Sequence, residues 1–236
     1  MNPSIRRLAV LMALGVSAPG WVRPREVRAQ TINELINETQ QLSSRPQSMR
    51  LVWWIPIEYW RMSAQADPKV TEAQMDSVAA LLRPFTVIAA VDGTVGSAGE
   101  FSFLPAQKLR ASIRLVDSHG TRYTPMAPDA IPERTRIVID VLKPLFANLL
   151  GQMGENMDFF LFPAMDAHGH PIAPATGSGA FSVVVADEEF RWRLPLGSLV
   201  PKKRCPVDGE LLNGSWRYCP WHGVELVAAG TAAHDH

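Results

Sequence analysis

Apolar residues that alternate along short segments, other stretches at helical spacing, and hairpin-length polar turns predict an α+β fold for this chain. Strand–turn–strand units outnumber crossover connections. The body is therefore expected to be an antiparallel sheet or sandwich carrying two packed helices, followed by a small C-terminal hairpin module. An apolar fraction of 47% and seven Trp supply enough side-chain volume for a real core, which excludes a globally disordered chain.

The N-terminal stretch, residues 1–29, reads as an export signal. Arg6 and Arg7 precede an apolar run from Leu8 to Ala18, and Val27-Arg28-Ala29 places small residues at the −3 and −1 positions of a cleavage site before Gln30. The run is much shorter than the ~20 residues of a membrane-spanning helix. An uncleaved N-terminal anchor is the alternative. The expected location is periplasmic or extracellular, with no transmembrane span in the mature chain. The full sequence has 23 basic and 23 acidic side chains; without residues 1–29 it keeps 18 basic against 22 acidic. No basic stripe remains, which argues against a nucleic-acid partner.

Residues 30–49 read as a polar lead-in, with Ile32, Leu35, Ile36 and Leu42 at weak amphipathic spacing. The body is expected over residues 50–200. Leu51, Trp53, Ile55, Ile57 and Tyr59 alternate as on one strand face, with Pro56 marking an edge or a break. A helix is predicted from Val70 to Arg83, where Thr71 and Gln74 form a capping box and Val70 can staple against Met75. Pro84 ends it. Phe85 to Val91 reads as a buried strand, and Asp92 to Gly99 as a Gly-rich turn without the features of a phosphate loop.

Leu109 to Leu115 alternates as a half-exposed strand, and Thr121 to Thr124 returns beside it after the turn Asp117-Ser118-His119-Gly120. Residues 125–132 form a linker. Leu142, Leu145, Phe146, Leu149, Leu150 and Met153 then mark a second helix over Ile137–Met153, with Pro144 at a kink or in the first turn. Phe159 to Phe162 is another apolar strand, followed by a second Asp-x-His-Gly turn at Asp166-Ala167-His168-Gly169. Phe181–Val185 and Phe190–Leu196 form a hairpin with Asp187, Glu188 and Glu189 at its solvated tip.

The chain's specific chemistry is concentrated in residues 201–227, ahead of a polar tail, 228–236, that ends His234-Asp235-His236. One phrase occurs twice there: Cys205-Pro206-Val207-Asp208-Gly209 and Cys219-Pro220-Trp221-His222-Gly223. Each copy puts two metal-ligand types three residues apart on one tight turn. A Gly follows, where the reversing chain needs positive φ. Two such knuckles face to face offer Cys205, Asp208, Cys219 and His222, four ligands suited to tetrahedral zinc. Exported thiols also tend to oxidise, so a Cys205–Cys219 disulfide across the thirteen intervening residues is the competing reading.

The duplicated phrase, from Lys203 to Leu226, resembles a zinc ribbon of the CPxCG…(Phe/Tyr)CPxCG type. Asp208 and His222 stand where that family has Cys. The resemblance implies a structural zinc in a small hairpin module.

No catalytic constellation is legible: G-x-S-x-G, H-E-x-x-H and dinucleotide fingerprints are all absent. The expected function is a non-enzymatic binding or structural protein that meets a protein partner through its C-terminal module. A metal-handling protein or metalloenzyme built on His119, His168 and His170 is one alternative, if the two Asp-x-His-Gly turns meet in space. A small-ligand carrier with Trp53, Trp54 and Trp60 lining a pocket is another.

Overall fold

The computed structural model describes residues 24–66 and 71–229. The chain runs through α1 (Pro24–Thr39), β1 (Gln40–Leu42), β2 (Leu51–Ile55), α2 (Ile57–Ala66), α3 (Glu72–Leu82) and β3 (Phe85–Val91). A small hairpin of β4 (Gly93–Val95) and β5 (Phe101–Phe103) follows, then α4 (Ala106–Ser112), β6 (Ile113–Val116) and β7 (Arg122–Tyr123). Next come α5 (Glu133–Leu150), α6 (Gln152–Glu155), β8 (Asp158–Pro163), β9 (Gly179–Val185) and β10 (Glu188–Leu194). Three two-residue strands close the chain: β11 (Lys203–Arg204), β12 (Leu211–Leu212) and β13 (Val227–Ala228). The fold is α+β, with every sheet antiparallel.

Two four-stranded sheets, β1-β2-β3-β8 and β10-β9-β6-β7, form the body. Strand β2 shows how the layers stack. All five of its residues are buried, because both faces of its sheet are covered. Trp54 points to the second sheet, where its ring lies 4.7 Å from Phe181 and 6.3 Å from Trp192. Trp53 points the other way, 5.5 Å from Tyr59 of α2 and 4.9 Å from Phe146 of α5. The body is thus helices on sheet on sheet, with one continuous apolar core through the three layers. The indole N–H of Trp53 is satisfied by Thr39 Oγ1 at 3.1 Å, and that hydroxyl in turn donates to the Leu35 carbonyl.

Several expectations need correcting. The alternation from Leu51 does not continue through Tyr59: the strand stops at Ile55 and Ile57 opens α2. Pro56 cannot donate to a ladder but is at home beside a helix start. The alternation over Leu109–Leu115 also splits, because Leu109 lies in α4 and only Ile113 and Leu115 are buried strand residues. Residues i and i+4 share a face in either geometry, so Leu109 and Ile113 fit both. The Gly-rich turn expected over Asp92–Gly99 holds β4 and the loop of the β4–β5 hairpin, whose second strand lies beyond it. The described residues hold six α-helices rather than two. Pro144 lies well inside α5, not in its first turn. The residue 30–49 lead-in is built into the body, since Leu35 and Thr39 are fully buried.

Other expectations match the structure. Thr71 caps α3 through the reciprocal bonds of a capping box, although Val70, its proposed staple partner, lies outside the described residues. Strands β3 and β8 and the β9–β10 hairpin fall where the pattern placed them. The export segment up to Val22 and Arg23, and the tail residues His234, Asp235 and His236, lie outside the described residues. Ala228, assigned to the tail, pairs with Lys203 as part of β13. No helix among the described residues is long and apolar enough to cross a membrane.

Candidate metal centre

The C-terminal module is a three-stranded sheet in the order β12-β11-β13, from which the two knuckles project. Their backbones are copies of each other. Cys205 donates its N–H to Glu210 O at 2.9 Å and accepts from Gly209 N–H at 2.9 Å. Cys219 donates to Val224 O at 2.8 Å and accepts from Gly223 N–H at 2.9 Å. Gly209 and Gly223 close these turns at φ 77° and 66°, a conformation that a Cβ disfavours. Sequence repetition has thus produced geometric repetition, and each Cys sits at the start of its own closed turn.

The turns bring three donors together. The ligand atoms of Cys205, Cys219 and His222 all lie within 4.8 Å of one another. The inward nitrogen of His222, Nδ1, is 3.4 Å from Cys205 Sγ and 3.5 Å from Cys219 Sγ. Bonds of about 2.3 Å to sulfur and about 2.0–2.1 Å to nitrogen, at tetrahedral angles, set sulfur and nitrogen ligands about 3.5 Å apart. The spacing is therefore that of a coordination shell, and the group could hold a metal ion. Both thiols are free, and both Cys residues are buried.

Asp208 stands slightly apart. Its Oδ2 is 3.8 Å from His222 Nδ1, against about 3.4 Å for an oxygen and a nitrogen on one tetrahedral ion. Its Oδ1 accepts the Glu210 N–H at 3.0 Å, and that bond is the main reason the carboxylate sits below its usual pKa range. Asp208 thus lies outside the metal-competent group of three, its carboxylate already committed to shaping its own turn.

The two thiols differ electrostatically. Burial pushes both up. At Cys205 that effect prevails and the thiol lies above its ordinary value. At Cys219 the N–H groups of His222 and Trp221, with the His222 ring, outweigh burial and bring the thiol below it.

The other candidates are placed differently. The turns at Asp117 and Asp166 are twins: each aspartate Oδ1 takes two backbone N–H groups, from His119 and Thr121 in one case and from His168 and His170 in the other. Asp117 Oδ2 also accepts the Tyr123 hydroxyl at 2.8 Å. His119, His168 and His170 are exposed, and His170 Nδ1 faces Asp166 Oδ2 at 3.2 Å. The described metal-competent group includes none of the three. In these turns the aspartates shape backbone, which is sufficient reason for their sequence pattern. Trp53, Trp54 and Trp60 are core residues, at most 4% exposed.

Glu188 is not a solvated tip residue. Its Oε2 takes Arg50 Nη1 at 2.9 Å and the Ser43 hydroxyl at 3.0 Å, while Arg50 Nη2 reaches Asp92 Oδ2 at 2.9 Å. This half-buried network fastens the first sheet to the β9–β10 hairpin. Arg50 and Glu188 are far apart in sequence, so nothing local announced the pair.

A second junction, also missed, ties α1 to the segment that leads into the module and, through Asn213, to the module itself. Glu38 of α1 accepts the N–H groups of Gly197 and Ser198 at 3.0 and 2.9 Å, the Ser198 hydroxyl at 2.6 Å and the Asn213 amide at 3.3 Å. Gly197 permits the approach, because a Cβ there would lie 1.9 Å from Asn213 Oδ1. Nothing local singled out Glu38, because α1 carries Glu26 and Glu34 as well. No family model, curated protein or solved structure matches this chain.

Proposed function

We propose that the C-terminal module is a zinc-ribbon-like clip holding one structural zinc, carried by an exported, non-enzymatic binding or structural protein that meets its partner through the module. The observation that carries the proposal is the convergence of Cys205, Cys219 and His222 at coordination spacing. The module's core supports it: Cys205, Cys219, Leu212 and Leu226 are its buried apolar side chains, with Val224 packed against them. So small a core needs a staple.

The choice of zinc follows from the donors, two thiolates and an imidazole at tetrahedral spacing. A partner surface is suggested by exposure. Val207, Leu211, Trp216, Tyr218 and Trp221 are five of the ten large hydrophobics exposed among the described residues. Val207 and Trp221 occupy equivalent positions on the two knuckles.

Metal analysis of the purified protein, kept reduced and supplied with zinc, tests the clip. The expected content is about one zinc per chain, the capacity of one four-ligand site. Cys205→Ser and Cys219→Ser should each abolish it, His222→Ala should weaken it strongly, and Asp208→Ala should weaken it less. Chelation should raise amide exchange beyond Pro201 and leave the body protected. A reduced protein that takes up no zinc would overturn the reading. Export is tested by intact mass from the native host, expected to give Gln30 as the first residue. A full-length chain in the cytosolic fraction would refute it.

A further inference from the structure

The module has two sulfurs where a four-cysteine ribbon has four, and these two are free, on separate knuckles, and inside one group of ligand atoms no more than 4.8 Å apart. Their partners, His222 and Asp208, bind through nitrogen and oxygen and do not undergo thiol oxidation. One two-electron event can therefore remove every sulfur ligand at once. What would remain, an imidazole and a carboxylate already hydrogen-bonded to the Glu210 N–H, is a poor zinc site.

The sulfurs are buried, but the side of the site formed by His222 and Asp208 is open, with side chains 34% and 40% exposed. A small oxidant can approach across that side. The backbone of each knuckle is held by its own turn bonds, and the Glu38 junction uses neither sulfur. Oxidation can then change the site without undocking the module.

We propose that Cys205 and Cys219 form a redox switch in which hydrogen peroxide converts the pair to a disulfide and empties the metal site. This rests on the zinc reading above. One thiolate attacks the peroxide oxygen, cleaving the O–O bond and leaving a sulfenic acid and one hydroxide. The second thiolate attacks that sulfur, forming the S–S bond and expelling a second hydroxide. Two thiolates are oxidised by two electrons, the peroxide is reduced to two waters, two protons come from solvent, and both metal–sulfur bonds are lost. In a four-cysteine ribbon the same event would leave two sulfurs on the metal. Asp208 and His222 thus make the response all-or-none.

The test uses the full chain, reduced and zinc-loaded, treated with one equivalent of hydrogen peroxide. A colorimetric chelator follows zinc release, and alkylation with intact mass counts thiols. The expected result is complete release, disappearance of both thiols together, and a mass about two daltons below the reduced protein. Reduction with dithiothreitol and added zinc should restore about one ion per chain. Zinc retained while both thiols survive would overturn the switch and leave the clip standing. Oxygen adducts on one sulfur with the other still alkylatable would also overturn it. A reduced protein that takes up no zinc would overturn the clip and the switch together.

Discussion

The body and the C-terminal module solve the same problem by opposite means. The body buries aromatic and branched side chains on both faces of one sheet, so that Trp53 and Trp54, neighbours in sequence, anchor different layers. Its cohesion is distributed. The module has strands of two residues and four buried side chains, two of them thiols. Its cohesion is concentrated in one cluster of donors. A distributed core resists change gradually, whereas a concentrated one fails when a single atom is lost.

The two polar junctions sharpen the contrast. Arg50 joins sheets within the body through charge: three ionised groups, each 11–13% exposed, lock together. Glu38 joins body to module through a carboxylate that accepts neutral donors. Breaking the first leaves Asp92 without its ion pair. Breaking the second leaves amides that water can solvate.

Substitutions should rank accordingly. Ile113→Asp should have the largest effect, because it buries an unpaired charge at a fully enclosed position. A loss above about 4 kcal/mol is expected, seen as collapse of the melting transition followed by circular dichroism. Arg50→Ala should cost about 3 kcal/mol, chiefly by stranding Asp92, since Glu188 keeps the Ser43 hydroxyl and Arg45 at 3.7 Å; urea denaturation of the body measures it. Glu38→Ala should cost roughly 1–3 kcal/mol, and amide exchange should place the loss at residues 197–214 with the core of β3 unchanged. Arg114→Gln should stay within about 0.5 kcal/mol, since its Nη1 bonds only to the neighbouring Ile113 carbonyl. If Glu38→Ala lowered the body's stability as much as Arg50→Ala, body and module would be one cooperative unit and the contrast would fail.

Legibility in the sequence followed the range of the interactions. The capping box at Thr71 and Gln74, the strand Phe85–Val91 and the hairpin ending at Leu194 are specified by residues within a few positions of each other, and the pattern located all three. The knuckles are local too, so their shared geometry could be anticipated from the repeated phrase. Helices α2 and α4 were hidden because apolar residues four apart suit a strand face and a helix face equally. The ion pair of Arg50 with Glu188 and the contacts of Glu38 were invisible because their partners lie 138 to 175 positions away.

That separation has a kinetic side. The Trp53 indole finds Thr39 only 14 positions off, so this bond can form while most of the chain is still being synthesised. Glu38, on the same helix, must wait for Gly197, Ser198 and Asn213, 159 to 175 positions later. Contacts of such high sequence separation pay their loop-closure entropy before they return anything. The module should therefore dock last, after the layered body has formed, and the final turn of α1 should spend the folding reaction with Thr39 settled and its neighbour Glu38 awaiting its last partners.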